Sequence, residues 1–245
     1  MAERLDVHLV AAGLVASRAR ARDLIDRGLV SVDGHVAMRA AQRVHGHEQI
    51  HVDPVAASYV SRGAEKLVAA LQAFKFEAQG RTCLDLGAST GGFVDVLLRR
   101  GAAHVFAVDV GTGQLHPSLA CDERVVSLED TDARALALSV IHGPVQAVTI
   151  DVSFVSITKA AGPALQLAEA GAWLVALIKP QFEVGPDHVS RGGIVRDADA
   201  RDRAVADVAR WVDMQPGWRL IDCVPSPILG GDGNTEMLLG AVRDG

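Results

Sequence analysis

Residues 81–93 read RTCLDLGASTGGF, and this stretch decides the fold of most of the chain. An apolar run typical of a buried strand leads into a glycine-rich turn, and the helical pattern GFVDVLLRR (92–100) follows at once. Such a turn lets a ligand approach the backbone closely and places it at a helix N-terminus. The stretch therefore predicts the first strand and the first helix of an α/β domain that binds a ligand.

Apolar runs alternate with helical patterns along the rest of the chain. The clearest helical pattern covers 198–213, where Val205, Val208 and Val212 share one face. This alternation predicts a Rossmann-like α/β domain with a mostly parallel, seven-stranded sheet and helices on both faces. No helical pattern separates the last two strands, which predicts an antiparallel edge strand. The other predicted strands are AHVFAVDV (103–110), RVVSLE (124–129), QAVTIDVS (146–153), AWLVALIKP (172–180), WRLIDCV (218–224) and EMLLGAV (236–242).

The first part of the chain follows another pattern, which predicts a small α+β domain. After a first amphipathic helix, a second helical pattern begins at Ser17, a good N-cap, and stops at Gly28. Apolar alternation around Asp33-Gly34 then predicts a hairpin, and 50–52 would add a short strand.

The segment PVAASYVSRGAEK (54–66) is a joint of mostly small residues with a proline and a glycine. We therefore predict an N-terminal domain over 1–58, a linker over 59–63 and the α/β domain over 64–245.

Composition excludes several classes of protein. Of the 245 residues, 49% are hydrophobic and 22% are charged, as in a globular chain that buries a core. The charged first residues do not resemble a secretion signal, and no apolar run reaches the length of a membrane span. Three scattered cysteines without CxxC spacing argue against disulfides or structural zinc. We expect a cytoplasmic protein that does not enter membranes and needs no metal.

Three carboxylates accompany the first three strands of the α/β domain. Asp85 precedes the glycine turn, Asp109 ends the second strand, and Asp132 follows the third. The turn does not match the G-x-G-x-x-G spacing of dinucleotide sites. The looser spacing suits S-adenosylmethionine, whose amino group, ribose hydroxyls and adenine edge these three carboxylates would contact in turn. Taken alone, however, the turn leaves a nicotinamide cofactor open.

Four further charged residues are predicted at the carboxyl edge of the sheet, where open α/β sheets bind ligands. The chain uses 20 arginines but only four lysines, two of which are Lys66, after the joint, and Lys179, at the end of the fifth strand. Asp151 ends the fourth strand, and Glu236 opens the last. A neutral lysine can remove the proton of a hydroxyl group, and a protonated one can stabilise the developing negative charge.

These four residues resemble the Lys-Asp-Lys-Glu tetrad of FtsJ-type ribose 2′-O-methyltransferases. The chain as a whole is similar to the TlyA family of bacterial rRNA 2′-O-methyltransferases, historically called haemolysins. Its N-terminal residues 4–34 resemble the RNA-binding module of small-subunit ribosomal protein S-four. The strings that carry the family resemblance are YVSRGAEKL (59–67), LDLGASTGGF (84–93), VDVGTGQL (108–115), LIKPQFE (177–183), RGGIVRD (191–197) and SPILGGDGNTEML (226–238).

The resemblance implies methyl transfer from S-adenosylmethionine to a ribose 2′-hydroxyl, with cytidine in ribosomal RNA or ribosomal subunits as substrate. Lys179 would have the central catalytic role, Asp151 and Glu236 would position it, and Lys66 would hold the ribose or a phosphate. The oligomeric state stays open. The residues expected to bind the cofactor are Asp85, Gly87, Ser89, Thr90, Gly91, Gly92, Phe93, Asp109 and Asp132.

Arginines crowd the second helix of the N-terminal domain. Arg18 and Arg22 share a face and, with Arg20 and the nearby Arg4, are expected to contact RNA phosphates. The alternative is a solvated helix face neutralised by the acidic residues of the same helix.

Two other functions stay open at the level of sequence. A nicotinamide oxidoreductase would explain Asp109, but neither the glycine spacing nor the lysines. A membrane-active protein, suggested by the family's old name, would need a span or a long basic amphipathic helix, and the sequence shows neither. The histidine-rich HGHEQIH (45–51) could bind a metal, although exposed histidines usually do not.

Overall fold

The computed structural model describes residues 2–54 and 58–245. They form two compact units, 1–62 and 63–245. The division falls within the predicted linker, while residues 55–57 of the predicted joint lie outside the described residues.

The N-terminal unit is an α+β domain with its own apolar core. Strands β3, β2 and β5 form a three-stranded sheet in that order, and β1 pairs with β4. The core between sheets and helices contains the fully buried Leu5, Leu9 and Leu24. The elements are β1 (Glu3–Arg4), α1 (Leu5–Ala11), α2 (Arg18–Asp26), β2 (Val30–Val32), β3 (His35–Val36), β4 (Arg43–Val44) and β5 (Ile50–Val52).

Local sequence signals set the turns of this unit as predicted. The Ser17 hydroxyl accepts a hydrogen bond from the Arg20 amide and caps α2, and Gly28 follows the helix with a positive φ of 72°. Asp33 and Gly34 have φ of 51° and 79°, as a two-residue hairpin turn between β2 and β3 requires.

The C-terminal unit is the predicted α/β domain. Its seven-stranded sheet has the order β11-β12-β10-β9-β6-β7-β8. Neighbouring strands pair in parallel except that β12 is antiparallel to both β10 and β11. The predicted antiparallel pairing at this edge is therefore confirmed. The reversed strand, β12, is the second strand from the edge, and β11 is the edge strand. The strands are β6 (Thr82–Leu86), β7 (His104–Val108), β8 (Val125–Leu128), β9 (Val145–Ile150), β10 (Ala168–Ile178), β11 (Trp218–Pro225) and β12 (Met237–Arg243). The α-helices are α3 (Gly63–Phe74), α4 (Gly92–Arg99), α5 (Pro117–Ala120), α6 (Leu138–Ile141), α7 (Ile157–Ala160), α8 (Gly162–Leu167) and α9 (Ala198–Asp213).

Both faces of this sheet are covered. Successive residues 174–178 of β10 are all fully buried, although neighbouring side chains of a strand point to opposite faces. Within the described ranges, no helix is both long and apolar enough to cross a membrane.

Candidate active site

Strand ends and one helix bring the predicted catalytic residues to one edge of the sheet. Asp151 follows β9 and Lys179 follows β10, and these parallel neighbours end side by side. Because β12 runs antiparallel to β10, Glu236 precedes β12 at the same edge, where Met237 pairs with Ile178. The topology therefore assembles residues that are far apart in sequence.

A cavity of about 560 Å³ opens at this edge, within the range typical of small-molecule sites. Of the residues predicted to bind the cofactor, those that line the cavity are Gly87, Ser89, Asp109 and Asp132. Asp85, Thr90, Gly91, Gly92 and Phe93 belong to the strand, turn and helix beside it but do not line it. Asp151 does line it, which places the predicted catalytic edge against this cavity.

Gly87 is required by the packing of two strand ends. A Cβ at this position would lie 2.6 Å from the Asp151 carbonyl oxygen, and φ is 81°. Any side chain at this position would therefore push the ends of β6 and β9 apart and change the shape of the cavity that Gly87 and Asp151 line. The sequence pattern predicts that this glycine allows a ligand to approach the backbone. The structure shows that it also allows the Asp151 backbone to pack against it.

Asp109 organises the cavity wall through backbone hydrogen bonds. Its carboxylate accepts from the Ser89 amide at 2.8 Å and from the Gly111 amide at 2.7 Å, which ties the glycine turn to the loop after β7. A carboxylate has about four lone-pair positions, so acceptor capacity remains for two hydroxyl groups of a ligand.

Asp85 is a fully buried carboxyl group under the glycine turn. Thr149 donates a hydrogen bond to its Oδ1 at 2.6 Å, whereas Oδ2 has no partner among the described residues. Burial raises the pKa of Asp85 to about 7, against the opposing effect of the Thr149 hydrogen bond. A buried oxygen without a partner is costly, so the site is suited to a donor supplied from outside the chain.

Asp132 lines the cavity, but the chain already occupies its carboxylate. It caps a short 3₁₀ turn through the Arg134 amide and forms an ion pair with the Arg134 guanidinium, with Nη2 and Oδ2 2.5 Å apart. These contacts lower its pKa to about 2. The predicted contact with an adenine edge therefore has to compete with Arg134, which lines the cavity too.

Lys179 is held from several directions beside the cavity. Its Nζ lies 2.6 Å from Asp151 Oδ1 and 3.3 Å from the Asp151 carbonyl oxygen, and it donates to the Ser153 hydroxyl at 2.8 Å. The contacts with the Asp151 carbonyl and the Ser153 hydroxyl are hydrogen bonds, and the contact with Asp151 Oδ1 is an ion pair. Together they fix the position of the lysine nitrogen.

Lys66 and Glu236 form a second, more deeply buried pair. Their Nζ and Oε2 atoms are 2.5 Å apart, and the side chains are only 7% and 3% exposed. A Cβ on Gly230 would lie 2.5 Å from Glu236 Oε1, so this glycine leaves room for the carboxylate. The predicted contact of Glu236 with Lys179 is thus replaced by one with Lys66, and Lys66 is buried rather than extended toward solvent.

Phe154 is an exposed aromatic residue at the cavity. Its side chain is 91% exposed, its φ of 64° is unusual for a residue other than glycine, and it lines the cavity. Its ring lies 5.2 Å from that of Phe182, and the two follow Asp151 and Lys179 by three residues each. Strain and exposure of an aromatic residue at one point indicate a surface for a ligand.

The arginines of the N-terminal unit are arranged around two aspartates. Arg4, Arg18 and Arg22 contact Asp6, and their side chains are 39%, 51% and 53% exposed. Arg20, which the sequence also predicts to contact RNA phosphates, is instead 6% exposed and donates to Asp23 at 2.8 Å. Position on the helix explains the difference, since Arg20 lies on the face that packs into the unit.

The histidine-rich segment forms a turn. Glu48 accepts hydrogen bonds from the amides of His45 and Gly46, each at 2.9 Å. Among residues 2–54 and 58–245, no three histidine, cysteine or acidic side chains are grouped as metal ligands.

Comparison with known proteins identifies the family. Residues 59–243 match the FtsJ-like methyltransferase family, and residues 3–50 match the S4 domain. The chain is 46% identical over 237 residues to the 16S/23S rRNA (cytidine-2′-O)-methyltransferase TlyA of Mycobacterium tuberculosis, covering 96% of this chain and 88% of the relative. The chain belongs to the FtsJ-like methyltransferases, in the TlyA group. A solved protein from Streptococcus thermophilus that bears the name hemolysin is similar to this FtsJ-like enzyme, with 35% identity and a TM-score of 0.76. The similarity covers 99% of the FtsJ-like enzyme and 89% of the Streptococcus protein.

The methyltransferase fold is also shared with distant proteins. An O-methyltransferase from Bacillus cereus, solved with S-adenosylhomocysteine, has 16% identity and a TM-score of 0.52 over 75% of this chain and 82% of its own. At this identity the likeness concerns the fold, and it confirms the predicted Rossmann-like class. The FtsJ-like enzyme uses S-adenosylmethionine as its methyl donor.

The cavity of the FtsJ-like enzyme fits this methyl donor. S-adenosylmethionine carries a ribose diol, which suits the remaining acceptor capacity of Asp109, whereas the unpartnered oxygen of Asp85 is buried under the glycine turn and does not line the cavity. Gly87 and Ser89 would form the wall next to the methionine portion. The cavity volume of about 560 Å³ is sufficient for a ligand of this size.

Several residues of this site are absent from the sequence prediction. Ser153 and Phe154 stand two and three residues after Asp151, and an aromatic residue just beyond the predicted catalytic aspartate is a signal that the sequence offers. Glu129, whose carboxylate accepts three backbone amides of the loop after β7, gave no such signal. Its role depends on which loop lies above it, and only the fold reveals that.

Proposed function

We propose that this FtsJ-like enzyme methylates the ribose 2′-hydroxyl of a cytidine in ribosomal RNA. The observation that carries the proposal is an immobilised lysine, Lys179, held by Asp151 and Ser153 against the cofactor cavity. The relative from Mycobacterium tuberculosis, named for this reaction on both ribosomal RNAs, supports the choice of substrate.

Lys179 would act on the hydroxyl group of the substrate. When bound, S-adenosylmethionine supplies an electrophilic methyl group. A ribose hydroxyl is a weak nucleophile, and its oxygen becomes negative as it takes the methyl group and its proton passes to solvent water at the cavity. Lys179 would take that oxygen as an acceptor in place of Ser153, and its positive charge would stabilise the transition state more than the ground state.

Asp151 would set the position and charge of Lys179, while the Lys66–Glu236 pair would shape the other side of the edge. With 7% and 3% exposure, Lys66 and Glu236 are shielded from water, and removal of either would leave a buried charge without its partner. We therefore assign Lys66 to the architecture of the edge at least as much as to holding a phosphate.

The aromatic pair would receive the nucleotide. Enzymes that act inside a folded RNA extrude the target nucleotide and stack its base on aromatic side chains. Phe154, exposed at the cavity and next to Phe182, has the position and chemistry for this contact. The N-terminal unit would bind neighbouring phosphates, and we expect the enzyme to act in the cytoplasm, on ribosomal RNA or ribosomal subunits.

The direct test is to map 2′-O-methyl groups on ribosomal RNA after incubation with S-adenosylmethionine and the purified enzyme. We expect one or a few cytidines to become resistant to alkaline cleavage on their 3′ side, and no such signal with Lys179→Ala. Methyl groups on bases, or resistance that does not depend on Lys179, would contradict the proposal. Binding of NAD with higher affinity than S-adenosylmethionine would instead favour an oxidoreductase.

A further inference from the structure

Asp6 is a buried carboxylate that holds three arginines of the N-terminal unit. Arg4 contacts both of its oxygens, Nε to Oδ1 at 2.9 Å and Nη2 to Oδ2 at 3.2 Å. Arg18 donates to Oδ2 at 3.1 Å and Arg22 at 3.2 Å. The three arginines come from two elements, because Arg4 ends β1 whereas Arg18 and Arg22 lie on α2.

The inner and outer ends of this cluster have opposite environments. The Asp6 side chain is 0% exposed, whereas the three arginine side chains are 39%, 51% and 53% exposed. The guanidinium of Arg4, followed by those of Arg18 and Arg22, holds the pKa of Asp6 well below its usual range although burial opposes this. The carboxylate is thus an internal anchor, and the arginines are its solvent-facing side.

The cluster carries an excess of positive charge. Three guanidinium groups and one carboxylate leave two positive charges, and the described residues supply Arg18 and Arg22 with no other acidic partner. The first turn of α2 contains no acidic residue, so the partial positive charge of its N-terminus adds to the same surface. Each guanidinium has five N–H donors, and contacts with Asp6 use only one or two of them.

We propose that Asp6 is a positioning residue for RNA binding: it fixes Arg4, Arg18 and Arg22 as one preorganised site for backbone phosphates of RNA. This inference rests on the proposed function and goes beyond it, because it assigns a negatively charged residue a favourable part in binding a polyanion. Without Asp6 the three arginines would repel one another and would have to be ordered on binding. Preorganisation raises affinity by removing that cost.

The test compares two variants that remove the same charge. Asp6→Asn removes the anchor, whereas Asp26→Asn, on the exposed side of the same helix, removes one negative charge and no contact with the arginines. Affinity of the full chain for a fluorescein-labelled ribosomal RNA transcript is measured over a series of salt concentrations. Simple electrostatics predicts that both variants bind RNA more tightly, and with a steeper salt dependence.

We expect opposite signs instead. Asp26→Asn should bind equally or slightly more tightly, while Asp6→Asn should bind more weakly, by about two- to tenfold for each arginine that loses its position. Its salt dependence should also flatten, because fewer phosphates are neutralised together. A loss that arises only from partial unfolding would lower the bound fraction without changing the salt slope. S-adenosylmethionine affinity serves as a control and should stay at the wild-type value.

A second pair of variants keeps the test independent of folding around Asp6. Arg18→Lys with Arg22→Lys preserves both charges at half-exposed positions but lacks the planar fork that shares Asp6. Arg39→Lys is the matched control on the exposed surface of the same unit. We expect the double lysine variant to bind RNA more weakly and the control to bind as wild type.

The outcomes separate this inference from the proposed function. If Arg18→Gln with Arg22→Gln weakens RNA binding but Asp6→Asn and the lysine variant bind at least as tightly as wild type, the arginines bind RNA and the positioning role of Asp6 is refuted. If the glutamine variant also binds as wild type, this face does not bind RNA, and both the inference and the assigned role of the unit fail.

Discussion

At the scale of single residues, the chemistry that we propose for this enzyme depends on how one lysine is restrained. Lys179 follows a buried strand and is surrounded by two oxygens of Asp151 and the hydroxyl of Ser153. The two Asp151 oxygens anchor the ammonium, and a substrate hydroxyl can replace the Ser153 hydroxyl as its third contact. Oxygen acceptors on several sides fit the proposed role of a cation that stabilises a developing alkoxide, which is one of the two roles that the sequence leaves open.

Lys179→Ala should abolish methyl transfer and leave the affinities for S-adenosylmethionine and RNA near wild type. Lys179→Arg should fail as well, since the planar guanidinium cannot place its donors as a compact ammonium does. The measurement is single-turnover transfer of labelled methyl to ribosomal RNA, with the exposed Lys159→Ala as a control. Retention of more than about a tenth of the wild-type rate would reject the role, because one donor that stabilises a developing oxyanion typically contributes ~10²–10³-fold.

The raised pKa of Asp85 predicts how the free energy of unfolding depends on pH. Burial raises its pKa to about 7, so the folded protein binds this proton more tightly than the unfolded chain does. The contribution of this bound proton to the free energy of unfolding is complete below the ordinary carboxyl pKa of about 4 and is lost as the pH rises toward 7. Asp85→Asn lacks this loss, so its free energy of unfolding relative to wild type should increase over that interval and then level off. Denaturant unfolding of both proteins at a series of pH values checks this; parallel curves would show that Asp85 does not titrate there.

The positions of these residues were predictable, but their partners were not. Asp109 and Asp151 are placed by strand ends, which apolar patterns reveal. Whether Glu236 contacts Lys66 or Lys179, and whether Arg20 faces solvent or the core, depends on side-chain directions across elements that are distant in sequence. Such choices differ by the rotation of one helix or one rotamer, and no local pattern encodes them.

At the scale of elements, the loop after β7 depends on a carboxylate that directly follows the next strand, β8. Glu129 accepts the amides of Gly113 at 2.7 Å, Gln114 at 2.9 Å and Leu115 at 3.4 Å, which lowers its pKa. Gln114 lines the cavity, so the position of this loop sets one wall of the cofactor site. A single carboxylate thus holds three successive amides of a loop that lines the cavity.

Glu129→Ala should therefore weaken S-adenosylmethionine binding several-fold, because the loop must then be ordered at the expense of binding. Glu129→Gln should have a smaller effect, since one side-chain oxygen remains to accept amides. Titration calorimetry measures both, with the exposed Glu123→Ala as the matched control. Equal affinities of wild type and Glu129→Ala would show that the loop is ordered without this carboxylate.

Long periodic elements were the predictable part of the fold, and short pairings were not. The helical pattern over 198–213 coincides with α9, where Val208 and Val212 are buried. By contrast, β1 and β4 have only two residues each and pair across 40 positions of sequence. Two residues cannot show a period, so only the folded unit reveals this pairing. The position of β12 between β10 and β11 in the sheet likewise depends on packing and not on a local sequence pattern.

At the scale of the whole molecule, RNA binding and chemistry are assigned to two separate compact units. The arginine surface lies within 1–62, whereas the cavity and the tetrad lie within 63–245. If the units divide the function in this way, changes in one should alter binding of the substrate and changes in the other should alter the methyl-transfer step. Effects of mutations at distant, independent sites are usually additive.

Arg18→Gln with Arg22→Gln should therefore weaken RNA binding and leave the single-turnover rate at saturating RNA unchanged. The slope of log affinity against log salt should flatten by about 0.7–0.9 for each lost phosphate contact. Arg20 is left out of the variant because its buried ion pair with Asp23 belongs to the core of the unit. Combined with Lys179→Ala, the same arginine changes should produce the same loss of RNA affinity as in the wild-type background. A lower rate at saturating RNA would mean that the N-terminal unit contributes to the transition state itself, beyond holding the substrate.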